Sequence, residues 1–158
     1  MSQVHNSMKS FLVACLGILC LVGCTSIDVT PLQYDAKIKE IYLIDNPKVI
    51  VDDFVPVMER FFAQYGIGLR RVSEFTQLRS NQYGIRYSAR QSWDFTTYLS
   101  DAFVNVYKGN MLVAEGKYHL IGGSFCFSFF KWQGTETKMK PVYEELMKNF
   151  PKAGQKSP

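Results

Sequence analysis

The sequence is poorest in the residues on which most catalysis and metal binding depend: two histidines and four cysteines in 158 residues. His5, Cys15, Cys20 and Cys24 fall at the N-terminus, so His119 and Cys126 stand alone beyond it. One imidazole and one thiol give no pair at zinc-ligand spacing, and no metal site is expected. No intramolecular disulfide can form beyond Cys24, and stability must come from packing. Glycine-rich phosphate loops are missing, since Gly66-Ile-Gly68 reads as a helix stop followed by a strand. A long apolar span is missing too. Phe11 to Val22 is a run of uncharged, mostly apolar residues, short of the roughly 20 that cross a bilayer comfortably.

That run reads instead as the hydrophobic part of an export signal, with Lys9 as its positive flank. Met8 is a second plausible start, and the sequence leaves Met1 and Met8 open. Leu21-Val22-Gly23-Cys24 then has the pattern of a lipobox. The thiol of Cys24 takes a thioether-linked diacylglycerol, the small Gly23 admits cleavage between the two residues, and the freed amine accepts an N-acyl chain such as palmitate. This assigns residues 1–23 to a cleaved signal peptide and Cys24 to lipidation. An uncut signal anchor, with Cys15, Cys20 and Cys24 as apolar fillers, is the competing reading. The small residue and cysteine directly after the apolar run, with polar sequence beyond, argue against it. Thr25 follows the cysteine where an aspartate often retains lipoproteins in the inner membrane, so the expected location is the periplasmic face of the outer membrane.

Formal charge is +4 for the chain and falls by one when Lys9 leaves. That is too small a surplus to argue for nucleic acid. The tract 24–36, with Pro31 and no clear period, reads as a lipidated tether, 37–150 as one domain, and 151–158 as a disordered tail. Inside the domain, Ile38 to Ile44 reads as a strand closed at Asp45-Asn46-Pro47. A helix follows from Asp52 or Asp53, which reads as a capping residue, with the stripe Phe54, Val57, Met58, Phe61, Phe62 and Tyr65 and a stop at Gly66. Ile67 to Val72 is a second strand. Residues 83–93 alternate, with Tyr83, Ile85, Tyr87, Ala89 and Trp93 on one face and Arg86, Ser88, Arg90 and Asp94 on the other. Tyr98 to Tyr107 and Met111 to Leu120 flank Lys108-Gly109-Asn110 as a hairpin. Phe125, Phe127 and Phe129 alternate around Cys126 as a further strand. A helix capped at Thr135 or Thr137 carries Met139, Val142, Tyr143, Leu146, Met147 and Phe150. The order β-α-β-β-β-β-β-α implies an α+β two-layer sandwich, an antiparallel sheet with two helices on one face.

Residues 83–150 resemble the Sbal-type lipoprotein family, small proteobacterial lipoproteins. The likeness is carried by Tyr87-Ser-Ala-Arg-Gln-Ser-Trp93-Asp94-Phe95-Thr-Thr-Tyr98-Leu99, Tyr107-x-Gly109, Ala114 with Tyr118, and Phe129-Phe-Lys131-Trp132 before Lys138-Met-Lys-Pro141. It implies a membrane-tethered domain and no particular chemistry.

No catalytic set is expected. His119 has no nucleophile or acid marked near it in the sequence pattern. Cys126 lies between phenylalanines rather than in an electropositive pocket. Arg70, Arg71, Arg79, Arg86 and Arg90 form a basic series, and Arg86 and Arg90 share a strand face about 13 Å apart. Paired guanidinium groups suit carboxylates or phosphates. Trp93-Asp94 could either close the apolar face or bind a partner. The expected function is therefore a non-enzymatic envelope lipoprotein that docks an envelope protein or anionic component through Arg86, Arg90, Trp93 and Asp94. No cofactor is expected beyond the acyl groups on Cys24. The alternatives are a carrier of a lipid or other apolar ligand, and a hydrolase with an unmarked site.

Overall fold

The structure, a computed structural model, describes residues 25–73, 79–121 and 129–154. Gly23, Cys24 and Cys126 lie outside them, as do residues 122–128 of the strand expected around that thiol. Six strands are described: β1 Thr25–Thr30, β2 Glu40–Ile44, β3 Gly68–Val72, β4 Tyr83–Asp94, β5 Thr96–Lys108 and β6 Met111–Leu120. Helix α1 is Phe54–Ala63 and α2 is Thr135–Leu146, preceded by a 3₁₀ turn at Phe129–Trp132. The class is α+β, with both helices on one face of a sheet ordered β1-β6-β5-β4-β2-β3.

Two expectations change. The sheet is mixed, because β2 runs parallel to both β3 and β4. The tract from Ile38 to Val72 is therefore a β-α-β crossover, for which parallel pairing is the geometric requirement. In addition, Thr25–Thr30, read from sequence as tether, is an edge strand paired antiparallel with β6 from Thr25↔Leu120 to Thr30↔Glu115. Its short alternation was hidden by small and polar side chains. The chain after it is held as well, since Leu32 is buried and its N–H donates to the Leu146 carbonyl at 2.9 Å. The observed order is thus β-β-α-β-β-β-β-α.

The helical stripes pack as their spacing requires. Phe54 of α1 stacks on Tyr87 of β4 with ring centroids 5.8 Å apart, and Phe61 meets Tyr143 of α2 at 5.2 Å. Gly66, at φ +69°, ends the first helix in the left-handed conformation that glycine tolerates best. Asp53 occupies the position before α1 without capping it by a side-chain hydrogen bond. Its carboxylate instead accepts from Thr135 Oγ1 at 2.7 Å, joining the starts of the two helices. The second helix is preceded by Gly134 rather than capped by a threonine.

Packing between α2 and β6 is close. A Cβ on Gly116 would stand 2.7 Å from Val142 Cγ1, so even one methyl has no room there. Tyr143, Phe62, Met139 and Leu146 are fully buried beside it.

Candidate docking face

Because both helices lie on one face, the other face of β1, β6, β5 and β4 is open. Cross-strand register sets its occupants: Asp28↔Lys117 and Ser26↔His119, Phe103↔Lys117 and Asp101↔His119, and Ser88↔Phe103 and Arg90↔Asp101. Arg86 and Arg90 are both exposed here, as alternation predicts. The guanidinium of Arg86 sits 5.5 Å from the ring centroid of Tyr107.

The remaining arginines do not join them in a row. Arg71 points to the helix side and pairs bidentately with Glu59, Nε to Oε1 at 2.7 Å and Nη2 to Oε2 at 3.1 Å; this pairing raises its pKa. Arg70 is at the far edge, over Tyr42 and 4.0 Å from Glu40. Arg79 lies in the turn before β4. Acids interleave with the cations on the open face: Lys117 pairs with Glu115 at 2.8 Å, and His119 Nδ1 is 2.5 Å from Asp101 Oδ1. The face is mixed in charge, and less suited to a polyanion than the arginine count suggested.

Two grooves run along it, separated by Phe103, which is 37% exposed. One, of about 400 Å³, is lined by Asn46, Arg86, Tyr87, Phe103, Asn105 and Tyr107. The other, of about 290 Å³, is lined by Ser88, Arg90, Asp101, Phe103, Lys117 and His119. Asn105 Oδ1 in the first groove is buried with no hydrogen-bond partner among the described residues. An orphaned acceptor of this kind costs about 1–3 kcal/mol until a donor reaches it. Sequence reading missed both Phe103 and Asn105. Phe103 breaks the polar face of its strand, and that was the available signal.

The acid beside His119 was also missed, because it comes from a different strand. Asp101, His119 and Ser26 succeed one another across three strands. Among the described residues no hydrogen bond joins Ser26 to the ring. The imidazole is 59% exposed on an open sheet, where an oxyanion would meet water rather than preorganised donors. A surface ion pair accounts for this geometry, and among the described residues no group of three or more metal-ligating side chains gathers.

Trp93 and Asp94 are placed differently from expectation. The register shifts between Arg90 and Gln91, where β5 carries the extra residue, Ser100; the change of phase falls on β5, whose Leu99 and Ser100 are both buried. Trp93 keeps its parity on β4 but lies near the hairpin tip and does not close the apolar face; it is 74% exposed. Asp94 forms an ion pair with Lys131 of the 3₁₀ turn. It helps to hold that turn, where Trp132 meets Tyr98 edge-on at 5.6 Å.

Lys138 braces the same corner from beneath. It is buried, and Nζ donates to the carbonyls of Leu99 at 2.9 Å and Lys131 at 2.7 Å. Burial pushes its pKa down to about 8. In the unfolded chain a lysine titrates near 10.4, so between these values the unfolded state holds the extra proton and stability grows as pH rises. Carbonyl hydrogen bonds favour the charged form and limit the gain to the order of 1 kcal/mol. Above pH 10 the trend reverses, because burial raises Tyr118 to about 12 and Tyr143 upward, and tyrosines in the unfolded chain ionise first. Melting temperatures are expected to rise from pH 8 to near 10 and then fall. Lys138→Met should lose the rise and keep the fall; an identical rise in that variant would refute the assignment.

No family model matches the chain, and no curated protein matches it. Among solved structures, the fold is similar to the PelC dodecamer from Paraburkholderia phytofirmans in two crystal forms, one of a single-site variant. The TM-score is 0.48 in both, at 8% and 7% identity, over 79% of this chain and 93% and 94% of those chains.

Proposed function

We propose that this protein is a lipid-anchored component of the bacterial envelope, held through Cys24 at the periplasmic face of the outer membrane, whose open sheet face docks a protein partner. The observation that carries the docking role is the groove beside Phe103, where an exposed aromatic borders an orphaned amide oxygen on a face that no helix covers. An apolar centre ringed by charges of both signs is the anatomy of a protein interface rather than of a polyanion site. Arg86 and Arg90 form part of that rim and give orientation more than affinity.

A photo-crosslinker at Ser88, which is paired directly with Phe103, tests this in intact cells carrying the lipidated chain. It is expected to yield a discrete adduct with an envelope protein, absent when the crosslinker sits at exposed Ile50. Phe103→Asp should reduce that adduct about tenfold, as loss of a central aromatic does. Arg86→Ala/Arg90→Ala should weaken it less, with a loss that shrinks at high salt. Equal adducts from Ser88 and Ile50, or an adduct indifferent to Phe103→Asp, would sink the docking role.

A further inference from the structure

Past the bulge, β4 carries Trp93 to the tip of the β4–β5 hairpin, where Asp94 pairs with Thr96 and Phe95 alone makes the turn. Phe95 is 88% exposed and sits at φ +60°. Glycine or asparagine adopts that conformation readily, whereas a bulky aromatic is strained in it. A side chain that is both strained and solvated contributes nothing to the fold. Outliers of this sort mark functional positions.

The tip is not isolated. Trp132 and Ile121, 43% and 54% exposed, belong to the same end of the sheet. The end is braced rather than loose, with Asp94 held by Lys131, Tyr98 against Trp132, and Lys138 bonded to Leu99 and Lys131. Both tryptophans of the chain are therefore here.

This end is also where the chain leaves toward the anchor. Thr25 opens β1 opposite Leu120, the last residue of β6. Cys24 is one peptide further, about 3.8 Å between α-carbons. Since β1 is antiparallel to β6 and β6 to β5, β1 begins at the end of the sheet from which the hairpin projects. His119 is level with Asp101, so Ser100 is level with Thr25 and Phe95 lies five residues beyond, about 15 Å along the strand. A lipid on Cys24 has no slack with which to hold this end away from the bilayer.

We infer that the β4–β5 tip, through Trp93 and Phe95 with Trp132 and Ile121 beside it, is a second membrane contact that seats in the interfacial layer of the bilayer next to Cys24. The inference rests on the lipidation of that cysteine. Aromatic side chains favour the headgroup level of a membrane, and an exposed apolar surface beside an acyl anchor gains by burying there. The contact fixes the tilt of the sheet and points its open face along the membrane. Apolar seating of this kind is insensitive to salt, unlike the rim charges of the docking face.

The test uses full-length lipidated protein carrying Trp132→Phe, so that Trp93 is the sole tryptophan, reconstituted in phosphatidylethanolamine–phosphatidylglycerol vesicles. Flotation with the vesicles reports the anchor. Brominated acyl chains are expected to quench Trp93 by roughly half and the bilayer to shield it from aqueous acrylamide, as for an interfacial tryptophan, at low and high salt alike. Phe95→Asn suits the left-handed turn and keeps the fold; it should abolish most of that quenching without lowering the melting temperature. Protein that fails to float overturns the anchor and this contact with it. Protein that floats while Trp93 is open to acrylamide and blind to the bromolipids overturns the contact alone.

Discussion

Phe62→Ala is expected to destabilise the fold by about 3–5 kcal/mol, while Trp93→Ala stays within about 0.5 kcal/mol of the parent. Phe62 is fully buried, and its ring meets Tyr143 edge-on at 6.3 Å between the two helices. Truncation leaves a cavity that the close-packed surroundings close only in part. A loss of this size is a large part of the stability of an ordinary domain. Trp93, being mostly exposed, leaves no such hole. Urea titration of both variants decides the matter, and a Trp93→Ala loss as large as that of Phe62→Ala would mean that the indole is packed rather than solvated.

Cys24→Ala is expected to abolish lipid attachment altogether. The side chain of alanine has no thiol to form the thioether, and the lipoprotein signal peptidase cleaves only the diacylglyceryl-modified cysteine, so the unprocessed chain keeps residues 1–23. Labelled palmitate should disappear from the protein, and its apparent mass should rise by the uncut signal. Palmitate incorporation at the level of the parent would exclude the lipobox reading. Among the described residues no helix is long and apolar enough to cross a membrane.

The contrast between Phe62 and Trp93 also measures how far the sequence could be read. Helical stripes were legible because a period near 3.6 repeats over three turns, and every residue of the first stripe from Phe54 to Phe62 is buried. Strand β4 was legible from alternation, and β5 and β6 from the Lys108-Gly109-Asn110 turn between them. What escaped was set by contacts between distant segments. Trp93 has the inward parity of its strand yet lies near the hairpin tip and is exposed, and the bulge opposite Arg90/Gln91, at Ser100, leaves no mark on composition. Parallel pairing of β2 with β3 and β4 depends on the path of α1, and β1 is too short and polar to announce itself without its partner. Of the site, Arg86 and Arg90 were found by parity alone. Phe103, Asn105 and the Asp101–His119 pair needed the register of three strands to be brought together.

Register also carries a temporal meaning. Thr25 pairs with Leu120, so the first described strand of the chain waits for the sixth. Contacts this distant in sequence form late, after the loop they close has been shortened by the hairpins β4–β5 and β5–β6 within it. On the proposed export and lipidation at Cys24, the segment beside it would emerge as an unpaired ribbon, accessible to acylating and cleaving enzymes. Once β1 zips onto β6, the same residues lie against a sheet edge. With Cys24 lipidated as proposed, the anchor would be attached first, and the strand it is attached to would be the piece that closes the domain.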